Sequence, residues 1–180
     1  MDRDILIGLV KAYSTEDASE ASFTTAFIDL LRHPDAFLRS HLPGHITGSA
    51  WIVDQTAQFV LLTHHAKLDK WLQPGGHADG DENVLQVALR EASEETGISS
   101  FKLLQEGIFD LDIHLIPARS EFPEHLHYDV RFLLEADLHS TLHVTNESHA
   151  LSWVSIRKLA ALTDHNESIL RMARKTGQLF

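Results

Sequence analysis

The segment Gly76–Ile98, GHADGDENVLQVALREASEETGI, decides the reading of this chain. From Val84 to Thr96 it holds no Gly or Pro, and its Val, Leu and Ala recur at helical spacing, so it reads as one helix. Leu85, Leu89, Ala92 and Thr96 lie four, three and four residues apart and form the expected core-facing stripe. Glu91, Glu94 and Glu95 also stand three and four apart, which crowds three carboxylates onto an adjacent face of the last turn. Like charges at these spacings repel one another, and the negative end of the helix dipole repels them further. A bound cation turns that cost into affinity, and hard carboxylate oxygens suit Mg²⁺ or Mn²⁺. Gly97 is the expected helix stop.

An isolated glutamate-rich helix is most simply a solvated surface, but the order of residues around this one is specific. Gly76, five residues, Glu82, seven residues, Arg90-Glu91, Ala92, one residue, Glu94-Glu95, one residue, Gly97 and Ile98 follow in sequence. This pattern resembles the signature of the Nudix hydrolases. A chance match of its specific positions somewhere in a chain this long is on the order of one in a million. Ala92 is smaller than the Ile, Leu or Val usual at its place, which bears on packing and not on the acidic positions.

The resemblance implies an α/β (α+β) Nudix fold, a mixed β-sheet sandwiched between helices. It covers about residues 45–165; the expected organisation is an N-terminal helical extension, 1–44, followed by a Nudix domain, 45–180. It implies hydrolysis of the pyrophosphate linkage of a nucleoside diphosphate derivative by a metal-activated water. Nucleotide sugars, ADP-ribose-like molecules, dinucleotides and nucleoside triphosphates all fall in that class. It assigns the metal, Mg²⁺ or Mn²⁺, to Glu91, Glu94 and Glu95, with the backbone carbonyl of Gly76. Arg90 is expected to pair with a neighbouring carboxylate such as Glu94 and hold its rotamer. Glu82 either tunes this site from its edge or stabilises the helix N-terminus.

In Nudix proteins the general base comes from the signature helix or from a distant loop. Glu147, six residues before Trp153, is the leading loop candidate, with Glu121 and Glu124 competing. Thirteen histidines stand in 180 residues. His125 and His127 flank Leu126 and so face one side of an extended chain. With His64, His65 and His77 they are candidates for phosphate or base recognition, or for a second metal site. Tyr128 and Trp71 could stack on a base, although Trp71 reads first as a buried aromatic.

Composition narrows the partners. The net charge is −11 with no Lys or Arg run, which argues against a nucleic-acid polymer as partner. A polyanionic small molecule is compatible, because divalent cations supply positive charge locally. With no cysteine, disulfides and thiolate metal sites are excluded. The N-terminal apolar run is too short and wrongly flanked for a signal peptide, and no stretch reaches membrane-spanning length, so the expectation is cytoplasmic. Many Nudix proteins dimerise, and the N-terminal helices offer a surface for a homodimer.

Elsewhere the pattern predicts helices within 4–40, broken at Ser14, Thr15 and Asp17. Strands are expected at Ile46–Val53 and Phe59–Thr63 as a hairpin, across Phe101–Ile116, at Tyr128–Ala136, as a short edge at Thr141–Val144 and at Trp153–Ser155. Helices are expected at Ser155–Leu162 and after the cap Asn166. Two other functions stand against hydrolysis. A non-catalytic Nudix-fold sensor of nucleotides usually lacks signature carboxylates that this chain retains. A prenyl-diphosphate isomerase leans on a cysteine that this chain lacks.

Overall fold

Two aspartates start the N-terminal helices. Asp2 accepts a hydrogen bond from the Ile5 N–H at 3.0 Å and caps α1 (Arg3–Ala12); Asp17 accepts from the Glu20 N–H at 3.0 Å and caps α2 (Ala18–Leu31). The strands are β1 (Gly44–Val53), β2 (Phe59–His65), β3 (Lys70–Leu72), β4 (Gly75–His77), β5 (Lys102–Leu103), β6 (Asp110–Ile116), β7 (His125–Glu135) and β8 (Ser148–Ser155). The remaining helices are α3 (Val84–Thr96), α4 (Leu159–Leu162), which follows a 3₁₀ turn, and α5 (Glu167–Leu179). This is a computed structural model, and it describes residues 1–119 and 122–180. The strands pair in the order β3-β2-β1-β7-β5, with β4 on β1, β6 on β7 and β8 on β2. Among the described residues the architecture is an α+β fold with a mixed sheet and five α-helices.

The described chain forms two compact units. The first comprises Met1–Ser49, Gly76–Ala88 and Gly107–Phe132, the second Ala50–Gly75, Leu89–Glu106 and Leu133–Phe180. In the first, Leu6, Val10, Phe27, Leu31, Phe37, Ile46, Val84, Val87, Leu111 and Phe132 build one core. Each such side chain contributes about 1.5–3 kcal/mol through burial. Ile5 of α1 is exposed, whereas Leu6 and Val10 are buried. Gly48 allows a close approach, since a Cβ there would lie 2.8 Å from the Val84 carbonyl oxygen. β6 and β7 are antiparallel from Asp110↔Arg131 to Ile116↔His125. Buried Glu20 ties the N-terminal helices to β6: it accepts from the Leu111 N–H at 2.9 Å, from the Thr15 hydroxyl at 2.6 Å and from the Tyr13 hydroxyl. A second buried network centres on Arg131, which donates to Asp129 at 2.8 Å, Asp110 at 3.0 Å and Asp112 at 3.1 Å. Burial alone would lower the pKa of Arg131; Asp112, Asp129 and Asp110 outweigh that and raise it. Asp129 also accepts from Thr47 and Ser49 on β1, at 2.9 and 2.7 Å.

In the second unit, Ala50, Ile52, Leu61, Ala92, Ile98, Leu134 and Ala136 form the core. The β1–β2 hairpin is set by Asp54, whose carboxylate accepts from the Thr56 hydroxyl at 2.6 Å and from the Phe59 N–H at 2.8 Å. Trp51 is fully buried and donates to the Thr176 hydroxyl of α5 at 2.9 Å. The short strand expected at Trp153–Ser155 is longer, because β8 pairs with β2 from Phe59↔Ser155 to His65↔Ser148. Thr141–Val144 is not a strand. The run Phe101–Ile116 is broken into β5 and β6 around Gly107, whose φ is +89°.

Candidate active site and histidine cluster

The acidic helix α3 has clear local boundaries. Gly80, at φ +91°, and the Asp81 side chain, which accepts from the Asn83 N–H at 2.8 Å, turn the chain ahead of it. Gly97, at φ +76°, ends it with an N–H donated to the Ser93 carbonyl at 2.9 Å. The buried face of α3 runs through Val84, Val87, Ala88, Ala92, Glu95 and Thr96, whereas Leu85 and Leu89 are only half-buried. The expected stripe is therefore rotated by about a residue. Glu95 lies on the core-facing side and Glu94 does not.

That rotation gives the three carboxylates different exposures. Glu95 is 7% exposed as a residue, the Glu91 side chain is 14% exposed and the Glu94 side chain 60%. Arg90 Nη1 lies between two of them, 2.8 Å from Glu91 Oε1 and 3.0 Å from Glu94 Oε2. Glu95 Oε1 accepts the Gly75 N–H at 3.1 Å, and the Thr63 hydroxyl donates to the same carboxylate. Burial pushes the Glu95 carboxyl up to about 7; the Gly75 hydrogen bond opposes this, and the charges of Glu91 and Glu147 add to it. Glu91 is also raised, first by burial, with Arg90 pulling down and Glu94 and Glu147 pushing up. Gly75 and Thr63 lacked any sequence signal, because the donor is a backbone N–H in one case and a lone strand hydroxyl in the other.

Glu147 is exposed just before β8, and its charge reaches both Glu91 and Glu95. Glu124 is exposed at the end of a loop in the first unit, and Glu121 lies outside the described residues. Glu82, also in the first unit, pairs with Arg3 at 2.8 Å. Gly76 is half-buried on β4, within the first unit.

The first unit also gathers four imidazoles. Ligand atoms of His45, His77, His125 and His127 all lie within 4.8 Å of one another. His77, His125 and His127 were expected candidates; His45 was not, since nothing in its local sequence marks it. Burial pushes His77 down to about 4 and His127 to about 2, so these rings are neutral near pH 7. Tyr128, on the same strand as His127, packs edge-on against Phe27, with ring centroids 5.3 Å apart. In the second unit His64 stacks on Trp71 at 5.0 Å and pairs with Asp69.

The model of the NUDIX domain family matches residues 45–175. The asymmetrical bis(5'-nucleosyl)-tetraphosphatase of Mus musculus is 30% identical over 115 residues, covering 63% of this chain and 75% of that protein. The Rattus norvegicus protein of the same name is 28% identical over 112 residues, covering 62% and 74%. Among solved structures, a NUDIX-family hydrolase of Clostridium perfringens is 26% identical with a TM-score of 0.57, covering 76% of this chain and 98% of that one. A C. elegans Ap4A hydrolase binary complex has a TM-score of 0.60 at 19% identity, covering 74% and 96%, a likeness of fold alone. Among the described residues no helix is long and apolar enough to cross a membrane.

Proposed function

This chain belongs to the Nudix family of pyrophosphate-bond hydrolases, and from that premise we propose that it cleaves a nucleoside diphosphate derivative with Mg²⁺ or Mn²⁺ held by Glu91, Glu94 and Glu95. The observation that carries this reading is the state of Glu95: a carboxyl 7% exposed, raised to about 7 and crowded by Glu91 and Glu147. Arg90 is the cation that pairs with Glu91 and Glu94. A hard divalent ion fits this donor set, because it offsets both the burial and the like-charge repulsion. When bound, such an ion screens the pyrophosphate charge and lowers the pKa of a water.

The protein's own groups do the positioning. Arg90 holds Glu91 and Glu94 in fixed rotamers through paired, charge-assisted contacts. The Gly75 N–H donates to Glu95 Oε1 and fixes that carboxylate. Glu147, an exposed carboxylate whose field reaches this cluster, accepts the proton of the attacking water. Domain limits of 1–44 and 45–180 belong to the same proposal, with the N-terminal helices packed through Glu20. The named activity of the mammalian relatives makes bis(5'-nucleosyl) tetraphosphates the first substrates to test.

The experiment is phosphate release, with a coupled phosphatase, across dinucleoside polyphosphates, nucleotide sugars, ADP-ribose, NADH and nucleoside triphosphates. A strong hit that requires Mg²⁺ or Mn²⁺ is the expected result. Silence across the panel together with tight binding of one member would replace hydrolysis by ligand sensing.

A further inference from the structure

We propose that His45, His77, His125 and His127 form a closed four-imidazole site for a borderline transition-metal dication, with Zn²⁺ as its occupant. All four residues belong to the first unit, and the inference does not rest on the hydrolase reading.

The distances suit a tetrahedral ion. Their ligand atoms lie within 4.8 Å of one another, and His125 Nε2 is 3.3 Å from His127 Nε2. A Zn–N bond of about 2.0–2.1 Å gives a tetrahedron edge of roughly 3.3–3.4 Å, so one edge is already at its final length.

The hydrogen bonds around the cluster fix the tautomers. His45 Nδ1 lies 3.2 Å from the His41 carbonyl oxygen, and His125 Nδ1 lies 2.9 Å from the Pro123 carbonyl oxygen. A carbonyl only accepts, so each Nδ1 carries the proton and each Nε2 presents a lone pair. This is the outer hydrogen bond that orients metal-ligating histidines. A metal-free imidazole network explains part of the geometry, since His127 could donate to His125. It does not explain His45, which is fully buried and whose Nε2 has no hydrogen-bond partner. An unsatisfied buried acceptor of that kind costs about 1–3 kcal/mol. An ion at the centre of the cluster satisfies it.

The donor set also selects the ion. Four neutral nitrogens and no carboxylate disfavour Mg²⁺ and Ca²⁺, whose ligands are oxygens, and suit Zn²⁺. The ligands come from β1 (His45), β4 (His77) and alternate positions of β7 (His125 and His127). Four protein ligands leave no open position for a water, so the site is a structural clip between strands.

The test is metal content and spectrum. Wild-type protein is stripped with chelator, then titrated with Zn²⁺ and separately with Co²⁺. Expected are one Zn²⁺ per chain, a raised Tm and an intense visible Co²⁺ band of tetrahedral coordination. A Glu91→Gln/Glu95→Gln variant keeps all three. A His125→Gln/His127→Gln variant weakens Zn²⁺ binding at least about 100-fold, more than loss of an outer partner would. Should that variant fail to fold, the wild-type Co²⁺ spectrum decides. No Zn²⁺ binding by wild type, a weak octahedral Co²⁺ spectrum, or Zn²⁺ lost with the glutamates and kept without the histidines would overturn the proposal.

Discussion

Replacing Glu95 by Gln keeps the shape of a buried side chain and an oxygen that can accept the Gly75 N–H, while removing its charge. The native carboxyl is raised from 4.5 to about 7, so between those values the native state binds more protons than the unfolded chain. Its contribution to stability is fully present below 4.5 and is lost as pH rises through 7. The whole change corresponds to about 3 kcal/mol at about 1.4 kcal/mol per pH unit. In metal-free protein, Glu95→Gln is therefore more stable than wild type at about pH 8, and the gap between them shrinks by about 2–3 kcal/mol on going to about pH 5. Urea unfolding of chelator-treated protein, followed by tryptophan fluorescence at both pH values, measures it. Saturating Mg²⁺ reverses the order at high pH, because only wild type gains binding free energy. A gap that does not change with pH, or a variant less stable than wild type in metal-free buffer at high pH, would refute the reasoning.

Arg131→Met strands Asp110, Asp112 and Asp129 without their cation and lowers stability by at least about 3 kcal/mol in a denaturant titration; a loss below about 1 kcal/mol would contradict it. Arg90→Ala changes stability by less than about 1 kcal/mol, as a partly exposed pair should, yet lowers kcat by at least about tenfold in steady-state assays. Glu147→Gln lowers kcat by about 100-fold or more with Mg²⁺ affinity unchanged, and an unchanged kcat would remove it as base. His127, held near 2 in the native state, is protonated in the unfolded chain below about 6.5, so metal-free protein loses stability as pH falls from there; His127→Gln flattens that acid limb in thermal melts.

The signature helix was legible because helix period, breakers and ligand spacing are all local. Its rotational phase was not. Val84, Val87 and Ala88 compete with Leu85 and Leu89 for the core, and only the packing around Gly48 and Ala92 chooses between them. The same choice carries Glu95 inward, which sequence spacing alone placed beside Glu91 and Glu94. The length of β8 was hidden for a related reason: Ser148–Ser152 carries little strand-forming pattern, but seven residues of β8 pair along β2. Glu20, Arg131 and His45 share a third difficulty. Each is a polar residue buried by partners far along the chain, such as Leu111 for Glu20, and no periodicity announces such a pairing.

On the proposed function, the carboxylates of α3 hold the ion that makes pyrophosphate cleavage possible. Turnover of a bis(5'-nucleosyl) tetraphosphate by wild type, Glu91→Gln and Glu95→Gln, at saturating Mg²⁺ and with folding checked by circular dichroism, tests it most directly. In both folded variants kcat falls by several orders of magnitude, equivalent to about 4 kcal/mol or more of lost transition-state stabilisation. Wild-type-like turnover in both would contradict it.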